Sequence, residues 1–164
     1  MRRGLYAQRN HFDRYQAASL IYAPSYISFE TALEYYGLIP ERVETIMSVV
    51  DGRPKVFHTP LGLYEYVSQS RTLFAMGMGM QFVNDKPILI ATKEKAILDT
   101  LMRVKLQAKT LRPKDIVDYL LNNLRIDIED IQKLSKVKLS KMAPYYRNHA
   151  PRKLVAYLKG ETDL

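Results

Sequence analysis

The stretch "VETIMSVVDGRPKVFHTPLGLYEYVSQ" runs from Val43 to Gln69, and the fold turns on how it is read. "VETIMSVV" is rich in β-branched residues and alternates in polarity, which argues for a strand. "DGRP" at Asp51–Pro54 is a turn signal, "KVFHT" resumes an extended run, "PLG" turns again, and "LYEYVSQ" alternates once more. Farther on, "MGMQFV" and "PILIA" flank "NDK" as a hairpin. About five short strands in succession most simply make an antiparallel meander.

Helical patterns flank this region. "DRYQAASLIY" from Asp13 to Tyr22 has helical spacing with Asp13 as its cap, and Pro24 ends it because proline has no amide hydrogen to continue the ladder. After an extended "SYIS", Ser28 is placed to cap a second helix by accepting from its first-turn amides. Phe29, Ala32, Leu33 and Tyr36 form the apolar stripe of that helix, and Gly37 stops it. Thr92 caps "KEKAILDTLMRVK", and three more helices follow, led by Pro113, Asp127 and Pro151. The expected fold is therefore α+β, an antiparallel sheet of about five short strands flanked by N-terminal helices and a C-terminal helical segment. A single domain over residues 1–164 is expected, with a short strand within 1–10, an α+β core over 11–105 and a basic helical part over 106–164.

The chain has 164 residues, no cysteine and a formal net charge of +8. Lack of cysteine excludes disulfides, thiolate metal sites and cysteine nucleophiles, and suits a reducing cytoplasm. No run approaches the ~18 apolar residues of a membrane span, so a cytoplasmic protein with no membrane partner is expected. The charge is lopsided: residues 103–164 hold 14 Lys and Arg against 7 Asp and Glu, whereas residues 1–102 hold 11 against 10. Such asymmetry points to an acidic partner, nucleic acid above all, or else to a solvated lysine-rich helical surface.

Catalytic signatures are absent. His11, His58 and His149 are far apart, so helical zinc spacing does not occur. "MGMGM" at Met76–Met80 lacks the lysine of a phosphate loop and reads as flexible backbone whose methionines fill core gaps. Only Asp85, Glu94, Lys95 and Asp99 resemble a nuclease set, and Glu94 and Lys95, as adjacent helical residues, diverge by about 100°. No catalytic residue, metal ligand, cofactor or small-molecule substrate is assigned. The basic stretch "QKLSKVKLSKMAPYYRNHAPRK" supplies the candidate contacts to nucleic acid or a partner: Lys133, Lys136, Lys138, Lys141, Tyr145, Tyr146, Arg147, Arg152 and Lys153, joined by Arg2 and Arg3 at the N-terminus.

Four blocks occur in order: "RRGLYA" at Arg2–Ala7, "PSYISFETALEYYGLIPE" at Pro24–Glu41, "TPLGLYEY" at Thr59–Tyr66 and "IATKEKAILDTL" at Ile90–Leu101. Together they resemble the AbiEi family of antitoxins from bacterial type IV toxin–antitoxin systems of abortive infection. The resemblance implies a non-enzymatic antitoxin that counteracts a nucleotidyltransferase-like toxin without requiring a stable complex. It also implies an N-terminal winged helix-turn-helix that represses its own operon. "RRGLYA" falls at the wing of that module, and here it begins at residue 2. The recognition helix is thus expected to be missing, leaving residues 1–10 as a residual wing-like strand. The alternative reading is a DNA-binding autorepressor acting through its basic surface, with DNA or RNA as partner.

Overall fold

The structure, a computed structural model, describes residues 13–104 and 111–161. Arg2, Arg3 and the strand expected over Gly4–Gln8 lie outside the described residues. Six strands form one sheet: β1 (Ser25–Ile27), β2 (Ile46–Val50), β3 (Lys55–Thr59), β4 (Gly62–Ser68), β5 (Met78–Val83) and β6 (Lys86–Ala91). Their spatial order is β3-β4-β2-β1-β6-β5.

This corrects the antiparallel five-strand meander. The sheet is mixed: β3–β4, β5–β6 and β1–β2 are antiparallel, whereas β2–β4 and β1–β6 are parallel. The reason lies in burial. All five residues of β2 are buried, so it needs neighbours on both edges and cover on both faces. β3 carries Lys55 and His58 and buries no residue fully, which suits a sheet edge. The chain therefore passes β2, makes the edge strand first, and returns with β4 beside β2. There Tyr64 and Tyr66 pair with Ile46 and Ser48 and are themselves buried. "SYI" becomes the central strand β1, with Ile27 paired to Ile90 in β6.

Helix α1 (Arg14–Ile21) covers one face, held by its Asp13 cap and by two tyrosines of β4. The Tyr64 hydroxyl donates to the Arg14 carbonyl at 3.1 Å and the Tyr66 hydroxyl to that of Ala18 at 2.5 Å. A buried phenol needs such an acceptor, so each tyrosine fixes both packing and position. Helices α2 (Phe29–Tyr35) and α4 (Lys93–Arg103) pack together on the opposite face. There Arg103 reaches Glu65 at 3.2 Å. Thr92 caps α4 as expected, by accepting from the Lys95 amide. A short α3 (Arg71–Phe74) follows β4 and was not expected.

The helical remainder is α5 (Pro113–Asn122), α6 (Ile128–Gln132), α7 (Lys136–Met142), a 3-10 turn over Ala143–Tyr145, and α8 (Ala150–Leu158). "DIEDIQKLSKV" is thus two helices, because Ser135 caps a new one by accepting from the Lys138 amide. α7 and α8 pack on α4, and α5 packs on α8. Two further expectations fail, the first only in part. Of the methionines in Met76–Met80, Met76 packs partly buried against the core as expected, whereas Met78 and Met80 are exposed. Ser28 occupies the cap position of α2 but makes no capping bond, because its hydroxyl is turned inward.

Candidate functional site

Ser28 turns inward to reach a polar cluster at the junction of sheet, α4 and C-terminal helices. Lys95 and Asp99 lie one turn apart on α4, both side chains 0% exposed, with the ammonium 2.6 Å from Oδ1 of the carboxylate. The same Oδ1 accepts from the Tyr146 hydroxyl at 2.6 Å and from Gln69 Nε2 at 2.7 Å. Oδ2 accepts from Ser28 Oγ at 2.5 Å. Lys95 Nζ also donates to Gln69 Oε1 at 2.7 Å and to the Tyr146 oxygen at 3.1 Å. Five residues from β1–α2, β4–α3, α4 and the loop before α8 are thereby tied at one point.

Burial holds the Lys95 ammonium below the usual lysine range, with Asp99 opposing that shift. Burial raises the Tyr146 phenol, and the neighbouring Asp99 charge raises it further. A buried ion pair survives only when its remaining donors and acceptors are matched, and here they are. Gly77 sits against the cluster at φ +69, where an added Cβ would lie 2.7 Å from Lys95 Cβ and 2.8 Å from Met142 Sδ. The adjoining Phe29 also takes a left-handed φ of 55 at the first position of α2.

Beside the cluster a cleft of about 520 Å³ opens between the end of β4 and the loop through Tyr145–Asn148. Gln69 and Tyr146 belong to both cluster and cleft wall.

The basic candidates separate into distinct places. Tyr146 is 1% exposed and belongs to the cluster, which corrects its assignment as a surface contact. Tyr145 and Arg147 are exposed and share the cleft. Lys136 and Lys141 line a second, shallow depression of about 410 Å³ with Val137, Ser140 and Lys159. Lys138 lies 4.0 Å from Glu94, and Lys133 lies 3.9 Å from Glu129 and Asp130. Arg152 donates to the Pro144 carbonyl at 2.8 Å, and Lys153 is half-buried on α8. Of the nuclease-like set, Lys95 and Asp99 meet. Glu94 instead accepts from the Ser135 amide at 3.0 Å, and Asp85 stands in the β5–β6 turn.

Sequence reasoning missed Gln69 and the inward role of Ser28. Its one available signal was Lys95 and Asp99 at helical i,i+4 spacing, the geometry of a paired charge. Among the described residues no cluster of three or more His, Asp or Glu is placed to hold a metal ion. Among them, too, no helix is long and apolar enough to cross a membrane. No protein-family model matches the chain, and no curated protein matches it.

Proposed function

We propose that this chain is the antitoxin domain of an AbiEi-type pair, counteracting a nucleotidyltransferase-like toxin by a non-enzymatic route. One observation carries the reading. The three resemblance blocks within the described residues build one interlocked core. Pro24–Glu41 meets Ile90–Leu101 through the Ile27–Ile90 strand pair, the Ser28–Asp99 bond and the Tyr36 hydroxyl on the Ala91 carbonyl at 2.8 Å. Thr59–Tyr66 joins them across β2. Blocks that interlock in this way are parts of one folded unit, which supports reading them together. The polar cluster supports the non-enzymatic part, because its acid, base and hydroxyl groups are spent on one another.

The test is co-expression with a nucleotidyltransferase-like toxin of the AbiE type. Restored growth is expected, and toxicity that persists with soluble protein present overturns the assignment.

A second reading, nucleic-acid binding through the C-terminal surface, is favoured by Lys136, Lys141 and Lys159 around one depression. Lysines grouped this way neutralise phosphates irrespective of sequence. Duplex binding that falls steeply with salt supports it, and a flat salt response removes it.

A further inference from the structure

We propose that the cleft beside the buried cluster binds a phosphorylated nucleoside, either as a free mononucleotide or as the phosphorylated end of a single strand. Its volume of about 520 Å³ suits a ligand of that size. Both walls are pinned before any ligand arrives. Gln69 on the β4 wall and Tyr146 on the loop wall are both bound into the cluster. The loop wall is held again at Asn148, whose Nδ2 lies 3.4 Å from the carbonyls of Leu101, Met102 and Val104 at the end of α4 and whose Oδ1 accepts from the Ala150 amide at 2.9 Å. A site built on fixed walls loses little entropy on binding.

Three groups on these walls remain unengaged. The Tyr145 ring is 53% exposed. The Ser68 hydroxyl and the Arg147 guanidinium have no hydrogen-bond or ion-pair partner among the described residues. Arg14, Arg42, Arg71, Arg103, Arg112 and Arg125 each pair with a carboxylate, and of the described arginines that do not, namely Arg53, Arg147 and Arg152, Arg147 is the one that lines the cleft. Among the described residues no carboxylate lines the cleft, so an incoming anion meets no like charge from them on its walls.

The three unengaged groups match three parts of a nucleotide. A guanidinium forks onto phosphate oxygens, a tyrosine ring stacks on a base, and a hydroxyl bonds a sugar. Leu73 and Met102 supply an apolar floor under the base. The antitoxin reading is not needed for this inference, and its test uses the purified chain without any toxin.

Calorimetric titration at low salt with AMP, GMP, CMP and UMP, with adenosine, with inorganic phosphate and with a 5′-phosphorylated RNA hexamer decides it. At least one mononucleotide or the hexamer is expected to bind with Kd below about 1 mM. Adenosine and phosphate alone should bind at least about tenfold more weakly. Arg147→Ala and Tyr145→Ala, both at exposed positions, should each weaken binding by about tenfold, whereas Lys136→Ala with Lys141→Ala should leave it within about twofold. Binding of the hexamer alone identifies a strand end, and binding of mononucleotides identifies a free nucleotide. Absence of saturable binding by all five phosphorylated probes overturns the proposal. So does binding that Arg147→Ala and Tyr145→Ala leave unchanged, or phosphate binding as tight as the best nucleotide.

Discussion

Replacing Asp99 by asparagine isolates the charge of the buried pair. Asparagine keeps the carboxylate's shape, and its oxygen can still accept from Tyr146 and Gln69 where Asp99 Oδ1 does now. The Ser28 hydroxyl can rotate to accept from the new amide. What disappears is the negative charge 2.6 Å from an ammonium that is 0% exposed. Breaking a buried pair from one side costs about 3–5 kcal/mol. A second route to the magnitude agrees. If Lys95 escapes by losing its proton at pH 7, the cost is about 1.4 kcal/mol for each of the roughly 3.5 units up to its ordinary pKa, or about 5 kcal/mol at most. Against a typical total stability of about 5–15 kcal/mol this is a large loss.

Urea unfolding followed by circular dichroism measures the loss. With a slope of about 2 kcal/mol/M, the midpoint should fall by about 1.5–2.5 M. Two further signatures belong to the charge. Adding Lys95→Met should recover at least about 1 kcal/mol, because no buried ammonium remains to be left unpaired. In Asp99→Asn alone, a neutral Lys95 in the folded state means that the unfolded chain binds one more proton. Stability should then rise with pH by about 1.4 kcal/mol per unit between neutrality and the ordinary lysine pKa. A loss under about 1 kcal/mol, with no recovery from Lys95→Met, would refute the view that this pair holds the junction together.

Other outcomes follow from the same geometry. Gly77→Ala should cost about 2–4 kcal/mol in urea unfolding, since the new Cβ meets Lys95 and Met142 and the φ is left-handed. Burial pushes Tyr36 and Tyr64 up to about 12, and raises Tyr26, Tyr66 and Tyr146 as well. Their neutral forms are favoured in the folded state, so stability is intact below the ordinary tyrosine pKa near 10 and is lost as pH rises towards 12. Absorbance at 295 nm, uncomplicated in a chain with 12 tyrosines and no tryptophan, should show a late group of phenols ionising only with unfolding. Glutamate at Lys136, Lys138 and Lys141 together should abolish any salt-sensitive duplex binding, measured by anisotropy, while lowering the unfolding free energy by no more than about 0.5 kcal/mol per substitution.

Much of the fold is legible locally. Asp13, Thr92 and Pro113 mark helix starts because capping and proline chemistry act within one turn. The β5–β6 hairpin is legible from its alternation and its turn. Strand order is not, because it is set by partners distant in sequence. "SYI" is too short to show a period, yet as β1 it occupies the middle of the sheet and forces β6 to run parallel to it. The cluster is legible only in part for the same reason. Lys95 and Asp99 are i,i+4 on one helix, but Ser28 lies 71 residues from Asp99, and Tyr146 lies 51 residues from Lys95. Ser28 illustrates the competition: its local option was to accept from a first-turn amide as a helix cap, and its hydroxyl is instead turned inward to donate a charge-assisted bond to a buried carboxylate. The exposure of Met80 and Phe82, 57% and 64%, was equally hidden, since alternation does not say which face of an edge strand is covered.

Growth rescue tests the antitoxin assignment most directly, carried out with two proteins side by side: the wild-type chain and the folded Asp99→Asn/Lys95→Met variant, each co-expressed with the nucleotidyltransferase-like toxin. A non-enzymatic antitoxin held together by a structural cluster should restore growth in both. Soluble wild-type protein that leaves the toxin lethal would contradict the antitoxin assignment, and a folded double variant that alone fails to rescue would contradict the structural role of Lys95 and Asp99.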